Sequence, residues 1–169
     1  MDDKLFKAIN QLAGSNRLFD YLMVSVSQKM RYVFLLIFIF LWFRNKVYRK
    51  AVYIAGLGSI LTVLAGLLIK PFYYRPRPFV RRMVRLLPPV PPRESSSFPS
   101  KHTALAFMAA TSIIFYNRLL GSVMYVLSLL TGLSRIWMGQ HDPSDIAGSA
   151  FLGSFMSLFA RLAGMKMIK

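Results

Sequence analysis

The stretch SRIWMGQHDPSD, Ser134 to Asp145, gathers Arg135, one of the chain's two histidines (His141) and two of its six acidic residues (Asp142 and Asp145). Two other places hold groups of the same kind: Lys70 to Arg77, and Pro99-Ser100-Lys101-His102. An aspartate four positions from a histidine can hold one ring nitrogen and leave the other free to attack. A second histidine can give a proton to a leaving oxygen. Ser100 reads as an ordinary N-cap, yet a helix start also offers free N–H groups and a positive dipole end to an anion. Lys70, Arg77 and Arg135 stand at the ends of apolar runs, where unpaired charge is costly and marks function. Arginine forks match phosphate oxygens and lysine supplies a point charge, so the anion expected is phosphate. Asp142, Pro143 and Asp145 also fit a capping-box-like helix start. That reading accounts for both aspartates but leaves His141 unexplained. With no cysteine and no HExxH, a metal site is not expected.

The elements that must position these groups are greasy. Of 169 residues, 55% are hydrophobic, above the usual share for soluble domains. Ala51–Ile69 is a charge-free run close to the roughly 20 residues that cross a bilayer as a helix. Further apolar blocks are Tyr32–Phe43, Thr103–Tyr116, Leu119–Ser134 and Ile146–Ala160. The fold class expected is therefore all-α: a polytopic membrane helix bundle of five to six transmembrane helices, preceded by an interfacial helix in residues 1–16. In that first helix Leu5, Phe6, Ile9 and Leu12 make one apolar face at helical spacing. Residues 17–43 read either as one long tilted helix or as a half-span and a span. Residues 71–99 hold eight of the nine prolines and six arginines, so they read as the one substantial loop. Helices are expected over 100–116 and 119–138, and from about Pro143 to about Gly164. Ala147, Gly148, Ala150, Gly153 and Ser154 fit close helix packing.

Counting crossings from 51–69 puts Lys70–Pro78, Phe98–His102 and Ser134–Asp145 on one face of the membrane, so three distant clusters become one expected site. Glu94, Asp142 and Asp145 are the counter-ions expected there, with Arg81, Arg82, Arg85 and Arg93 meeting lipid headgroups. Arg44, Lys46, Arg49, Lys50, Arg118, Arg161, Lys166 and Lys169 fall on the opposite face. If part of the site-face cations serve an anion, the positive-inside rule places the site outside the cytoplasm. The net charge of +16 does not imply a nucleic-acid partner, because Lys and Arg cluster between apolar blocks where snorkelling and orientation place them.

Lys70…Arg77-Pro78, Pro99-Ser100-Lys101-His102 and Ser134-Arg135…His141…Asp145 resemble the three-part signature of the type-2 phosphatidic acid phosphatase superfamily of membrane lipid phosphatases, K-x6-R-P, P-S-x-H and S-R-x5-H-x3-D. The match runs over residues 70–145, in the right order and spacing. The resemblance implies one membrane-embedded lipid phosphatase domain over residues 1–169, with 71–99 as an active-site loop. It implies that His141 attacks the terminal phosphorus, Asp145 orients it, and His102 protonates the leaving group and later activates water. Lys70, Arg77, Ser100 and Arg135 would hold the phosphoryl oxygens, without metal or other cofactor. RPRPF, FPS-H and SRIWMGQHDPSDIAGS look most like the bacterial undecaprenyl-diphosphate phosphatases of the bacitracin-resistance type, which implies a multi-pass protein of the bacterial plasma membrane that recycles the carrier lipid for cell-wall synthesis. Lys101 stands where Gly or Asp is more usual, and suits a diphosphate's extra charge. Phosphatidylglycerophosphate and phosphatidic acid are alternative substrates, and a non-catalytic lipid carrier or flippase is the alternative of another class. Oligomeric state is not legible.

Overall fold

The computed structural model describes residues 2–167, and side chains as far as residue 164. Lys169 and the side chain of Lys166, two of the expected opposite-face cations, lie outside that description. The described elements are helical throughout: α1 (Asp2–Asn10), α2 (Arg17–Arg44), α3 (Lys46–Phe72), α4 (Pro78–Arg81), α5 (Lys101–Ile114), α6 (Arg118–Trp137) and α7 (Pro143–Met167). Asparagines mark the turns. Asn16, Asn45 and Asn117 sit in extended backbone before α2, α3 and α6, and each side-chain carbonyl accepts from first-turn N–H groups.

Four helices, α2, α3, α6 and α7, are long and apolar enough to cross a membrane. α5, at 14 residues, is shorter than these four and sits inside the bundle: Thr103 to Ile113 is buried almost throughout, packed against α3, α6 and α7. Residues 17–44 form one helix, which resolves the alternative in favour of a single long span. Of the five to six transmembrane helices expected, four among the described residues have the length and apolarity of a span, because the block read at Thr103–Tyr116 forms the short, buried α5.

α7 meets α5 along a stripe of mostly small residues three or four apart. Asp145, Ser149, Gly153, Ser157 and Ala160 are buried, while Phe151, Phe155, Phe159 and Leu162 face outward. Gly153 lies directly on the Ala104 carbonyl, where any Cβ would collide with it. Hydroxyls join the helices within this apolar setting: Ser112 with Ser157 (2.9 Å), and Thr111 with Ser154 (3.1 Å). Of the five expected packing positions, Ala147 is instead exposed.

Two boundaries differ from expectation. The proline-rich segment begins at Tyr73 rather than at residue 71, because α3 carries Pro71 in its last turn and closes with Tyr73 N–H on the Ile69 carbonyl (2.8 Å). One missing donor at a helix end is tolerated where a missing donor in mid-helix is not. Within the segment, Pro78 starts the short helix α4. The first helix ends at Asn10 and not near residue 16. Phe6, Asn10 and Ala13 are buried against the loop and α6, leaving Leu5 and Leu12 exposed as the outward apolar edge. Asn10 explains the docking: its amide donates to the carbonyls of Arg85 (2.8 Å) and Trp137 (2.8 Å) and accepts from Arg85 N–H (2.9 Å).

Candidate active site

The three clusters meet at one end of the bundle. α6 runs to Trp137 and is stopped by Gly139, whose φ of 73° and close approach to the Arg85 carbonyl suit glycine alone. The turn that follows carries Gln140, His141 and Asp142, all buried. Gln140 anchors it, donating to the Pro89 carbonyl (2.8 Å). Arg77 Nη1 donates to His141 Nε2 (3.2 Å) and to the Gln140 carbonyl (3.2 Å), while its Nε donates to Ser95 Oγ (2.8 Å).

This places the lone pair of His141 on Nε2 and its proton on Nδ1, a tautomer assigned from the bonding partners. Nδ1 faces Ser97 Oγ at 3.4 Å and Asp145 Oδ2 at 3.8 Å. Ser97 donates to the same Asp145 oxygen, which also accepts from the Asp142 N–H (3.0 Å). That last bond is one half of the expected capping box. The Asp142 carboxylate does not perform the other half, because Arg75, Arg81 and Arg82 draw it into ion pairs.

Burial lowers the His141 pKa, opposed by the nearby Asp145 carboxylate and reinforced by the charges of Arg135 and Arg77, so that it falls to about 4. The imidazole is neutral at neutral pH, the form a nucleophile or base requires. Burial also lowers the pKa of Arg77.

Arg135 is buried; its Nη1 donates to Ser27 Oγ of α2 (2.6 Å), and its Nε has no partner. A buried, unpartnered guanidinium N–H is a place for an anion's oxygen. Ser100 caps α5 but its side chain bonds no first-turn N–H, turning instead to Thr103 Oγ1 (3.1 Å). Its own N–H donates to Ser149 Oγ (2.7 Å), fixing the start of α5 on α7. Lys70 and Lys101 line one small pocket with Pro99. His102 and Lys101 line a second, larger cavity together with Ser27, the partner of Arg135. All eight sequence-derived residues thus occupy one end of the bundle. Among the described residues no cluster of His, Cys, Asp or Glu could hold a metal ion.

Sequence reasoning missed three contributors. Arg75 Nη1 donates to Asp145 Oδ1 (2.6 Å) and to Ser144 Oγ (2.7 Å), and its Nη2 reaches Asp2 (3.1 Å) and Asp142 (3.3 Å). Burial opposes its charge, but the carboxylates of Asp145, Asp142 and Asp2 outweigh burial and raise its pKa. Ser97 joins His141 to Asp145, and its only signal was membership of a serine run before Phe98-Pro99. Asp2 accepts from Ser144 N–H (3.0 Å), and its pKa falls because these bonds outweigh burial. Of the expected counter-ions Asp142 and Asp145 pair with arginines, Glu94 is exposed and forms no ion pair among the described residues, and Asp2 and Asp3 take part instead because α1 folds back over the loop. Arg81, Arg82 and Arg85 are correspondingly not left to headgroups. Arg81 and Arg82 pair with Asp142, Arg82 also with Asp3, and Arg85 donates to the Gln11 and Ala13 carbonyls (both 2.6 Å).

An all-helical membrane bundle with a buried, neutral histidine among cations that form no ion pair among the described residues fits a phosphatase, and the comparisons agree. A family model described as the PAP2 superfamily matches residues 48–167. The undecaprenyl-diphosphatase BcrC of Bacillus subtilis is 36% identical over 98% of this chain and 86% of its own length. The bacitracin transport permease protein BcrC of Bacillus licheniformis is 27% identical, over 91% of this chain and 76% of its own. The crystal structure of Aquifex aeolicus LpxE matches with a TM-score of 0.80 and 29% identity, covering 94% of this chain and 93% of that one. A PAP2-type phosphatidylglycerolphosphate phosphatase from Bacillus subtilis shares the fold with a TM-score of 0.69 at 21% identity, covering 98% and 85%. The chain belongs to the PAP2 superfamily and is a membrane phosphatase.

Proposed function

We propose that the chain, acting as one domain, removes the terminal phosphate of undecaprenyl diphosphate through a phosphohistidine intermediate. The observation that carries the substrate is the 36% identity, over nearly the whole chain, to a relative named for that activity. In this reading His141 Nε2 attacks the terminal phosphorus as the bond to the bridging oxygen breaks, and His102 gives that oxygen its proton. Asp145, with Ser97 between, holds His141 Nδ1–H and balances the charge that the ring acquires. His102, now neutral, takes a proton from water, which hydrolyses the phosphohistidine and restores His141. Lys70, Arg77, Ser100 and Arg135 hold the phosphoryl oxygens and the charge that builds on them, where preorganised cations lower a barrier most, and Lys101 adds a cation for the second phosphate of the substrate. The unpartnered Nε of Arg135 supports this assignment. No metal takes part. The protein would lie in a bacterial plasma membrane with the site on the extracytoplasmic face, and its lipid monophosphate product would return to cell-wall synthesis.

A carrier or flippase reading is favoured by one observation, the transport permease name of the Bacillus licheniformis relative. Phosphate release from detergent-solubilised protein in EDTA decides between them, with undecaprenyl diphosphate and phosphatidylglycerophosphate compared. Release that His141→Ala lowers by roughly 10^4-fold supports the histidine mechanism. The faster lipid names the substrate. Folded protein that binds lipid and releases no phosphate from either would support the carrier.

A further inference from the structure

Arg31 stands midway along α2, a helix long and apolar enough to cross the membrane. One turn before it, Ser27 accepts the bond from Arg135, so Arg31 lies one turn beyond the phosphate site toward the bilayer interior. It is exposed, and its hydrogen-bond partner is the adjacent Tyr32 hydroxyl (3.0 Å), with its guanidinium carbon 4.8 Å from the centre of that ring. No carboxylate forms an ion pair with it among the described residues. A charge at that depth is costly and ordinarily faces a cavity or a functional partner.

Arg31 lines a cavity of about 570 Å³ between α2, α3 and α5. The walls are otherwise largely apolar, with Phe34, Leu64 and Leu105 among them, and Lys101 and His102 share the cavity with Arg31. No acidic residue lines it among the described residues.

We infer that Arg31, together with Lys101, binds the retained phosphate of a lipid diphosphate and thereby selects diphosphates over monophosphates. The inference rests on the phosphatase reading above and follows from the order of groups along the substrate. With the terminal phosphorus at His141 and the bridging oxygen at His102, the next group is the retained phosphate, and after it the apolar chain. The cavity that begins at His102 and Lys101 presents Arg31 and then apolar walls, the same order of chemistry. When the terminal phosphorus bonds to His141 Nε2, the bridging P–O bond breaks, and the oxygen leaves with the proton of His102 as part of the lipid monophosphate. Its phosphate is then still beside Arg31. A phosphomonoester such as phosphatidic acid places neutral glycerol at that position and gains nothing from the guanidinium.

The test measures kcat/KM for undecaprenyl diphosphate and for phosphatidic acid, using the full chain in detergent, for the parent, Arg31→Gln and Arg31→Lys. The diphosphate/monophosphate ratio should fall roughly 10- to 100-fold in Arg31→Gln, the range for losing a hydrogen-bonded charge partner, and recover in part in Arg31→Lys. Arg31→Met, which matches the apolar walls, gives the same comparison should the glutamine variant not fold. An unchanged ratio, whether both rates fall or neither does, overturns the inference and leaves the substrate assignment standing. A parent that releases no phosphate from the diphosphate overturns the assignment, and the inference with it.

Discussion

Two groups of arginines share the polar end of this bundle and differ in what surrounds them. Arg75, Arg81 and Arg82 converge on Asp142, with Asp145, Asp2 and Asp3 completing their pairing. Arg77 and Arg135 lie a few residues away in sequence or across the fold, and form no ion pair among the described residues. They bond instead to neutral groups: Ser95, the Gln140 carbonyl and His141 for Arg77, and Ser27 for Arg135. The first group is electrostatically complete and holds α1, α4 and the α6–α7 turn together. The second is held in place without being neutralised, so its charge remains available to a phosphate. The same residue type is neutralised in one place and keeps its charge in the other, and the carboxylates decide which.

Substitutions can break each group separately. Arg135→Gln should lower kcat by roughly 10^2- to 10^3-fold, the scale for removing one transition-state donor. It leaves no carboxylate orphaned, so its melting temperature should stay near that of the parent; a large fall would mean that Arg135 is structural after all. Asp142→Asn attacks the other group. It leaves three arginines competing for the remaining carboxylates, and should cost about 2 kcal/mol of stability, less than a fully buried pair because the arginines reach water. A thermal-shift measurement checks this, and a stability like the parent's would show that the pairs contribute nothing net. Activity at a permissive temperature should fall far less than in Arg135→Gln.

The smallest expected effect is on the pH profile and sharpens the contrast at His141. Burial and the charges of Arg135 and Arg77 lower its pKa to about 4, against the pull of Asp145. A lowered pKa means that the neutral ring persists as pH falls through 6.5. The acid limb of kcat/KM, which reports the free enzyme, should therefore lie below 6.5. A limb at or above that value would show that Asp145 outweighs burial and the unpaired arginines.

Much of the site was legible because its residues are tied to local rules. His141 and Asp145 are one helical turn apart across the start of α7, and Ser100-Lys101-His102 marks the start of α5. The parity of crossings then brings the clusters to one face without knowledge of packing. Arg75 carried no such sign. It stands two residues from Arg77 in a run of arginines and prolines, and nothing local separates the residue that grips Asp145 from the one that touches His141. Asp2 was invisible for the same reason, since its partner Arg75 lies 73 residues away.

The sequence by itself determined the apolar spans, the asparagine-capped turns, and the spacing that identifies the catalytic candidates. Those follow from periodicity, capping and bilayer thickness, which act over a few residues or one helix. Only the tertiary structure decided which cations are paired. That depends on α1 folding back over the loop through Asn10, and on α7 approaching α5 at Gly153 closely enough to bury Asp145. It also placed Arg31 beside a cavity, where a mid-helix cation has room for a charged ligand. Ion pairing depends on distances of a few ångströms between distant segments, and packing alone sets those distances.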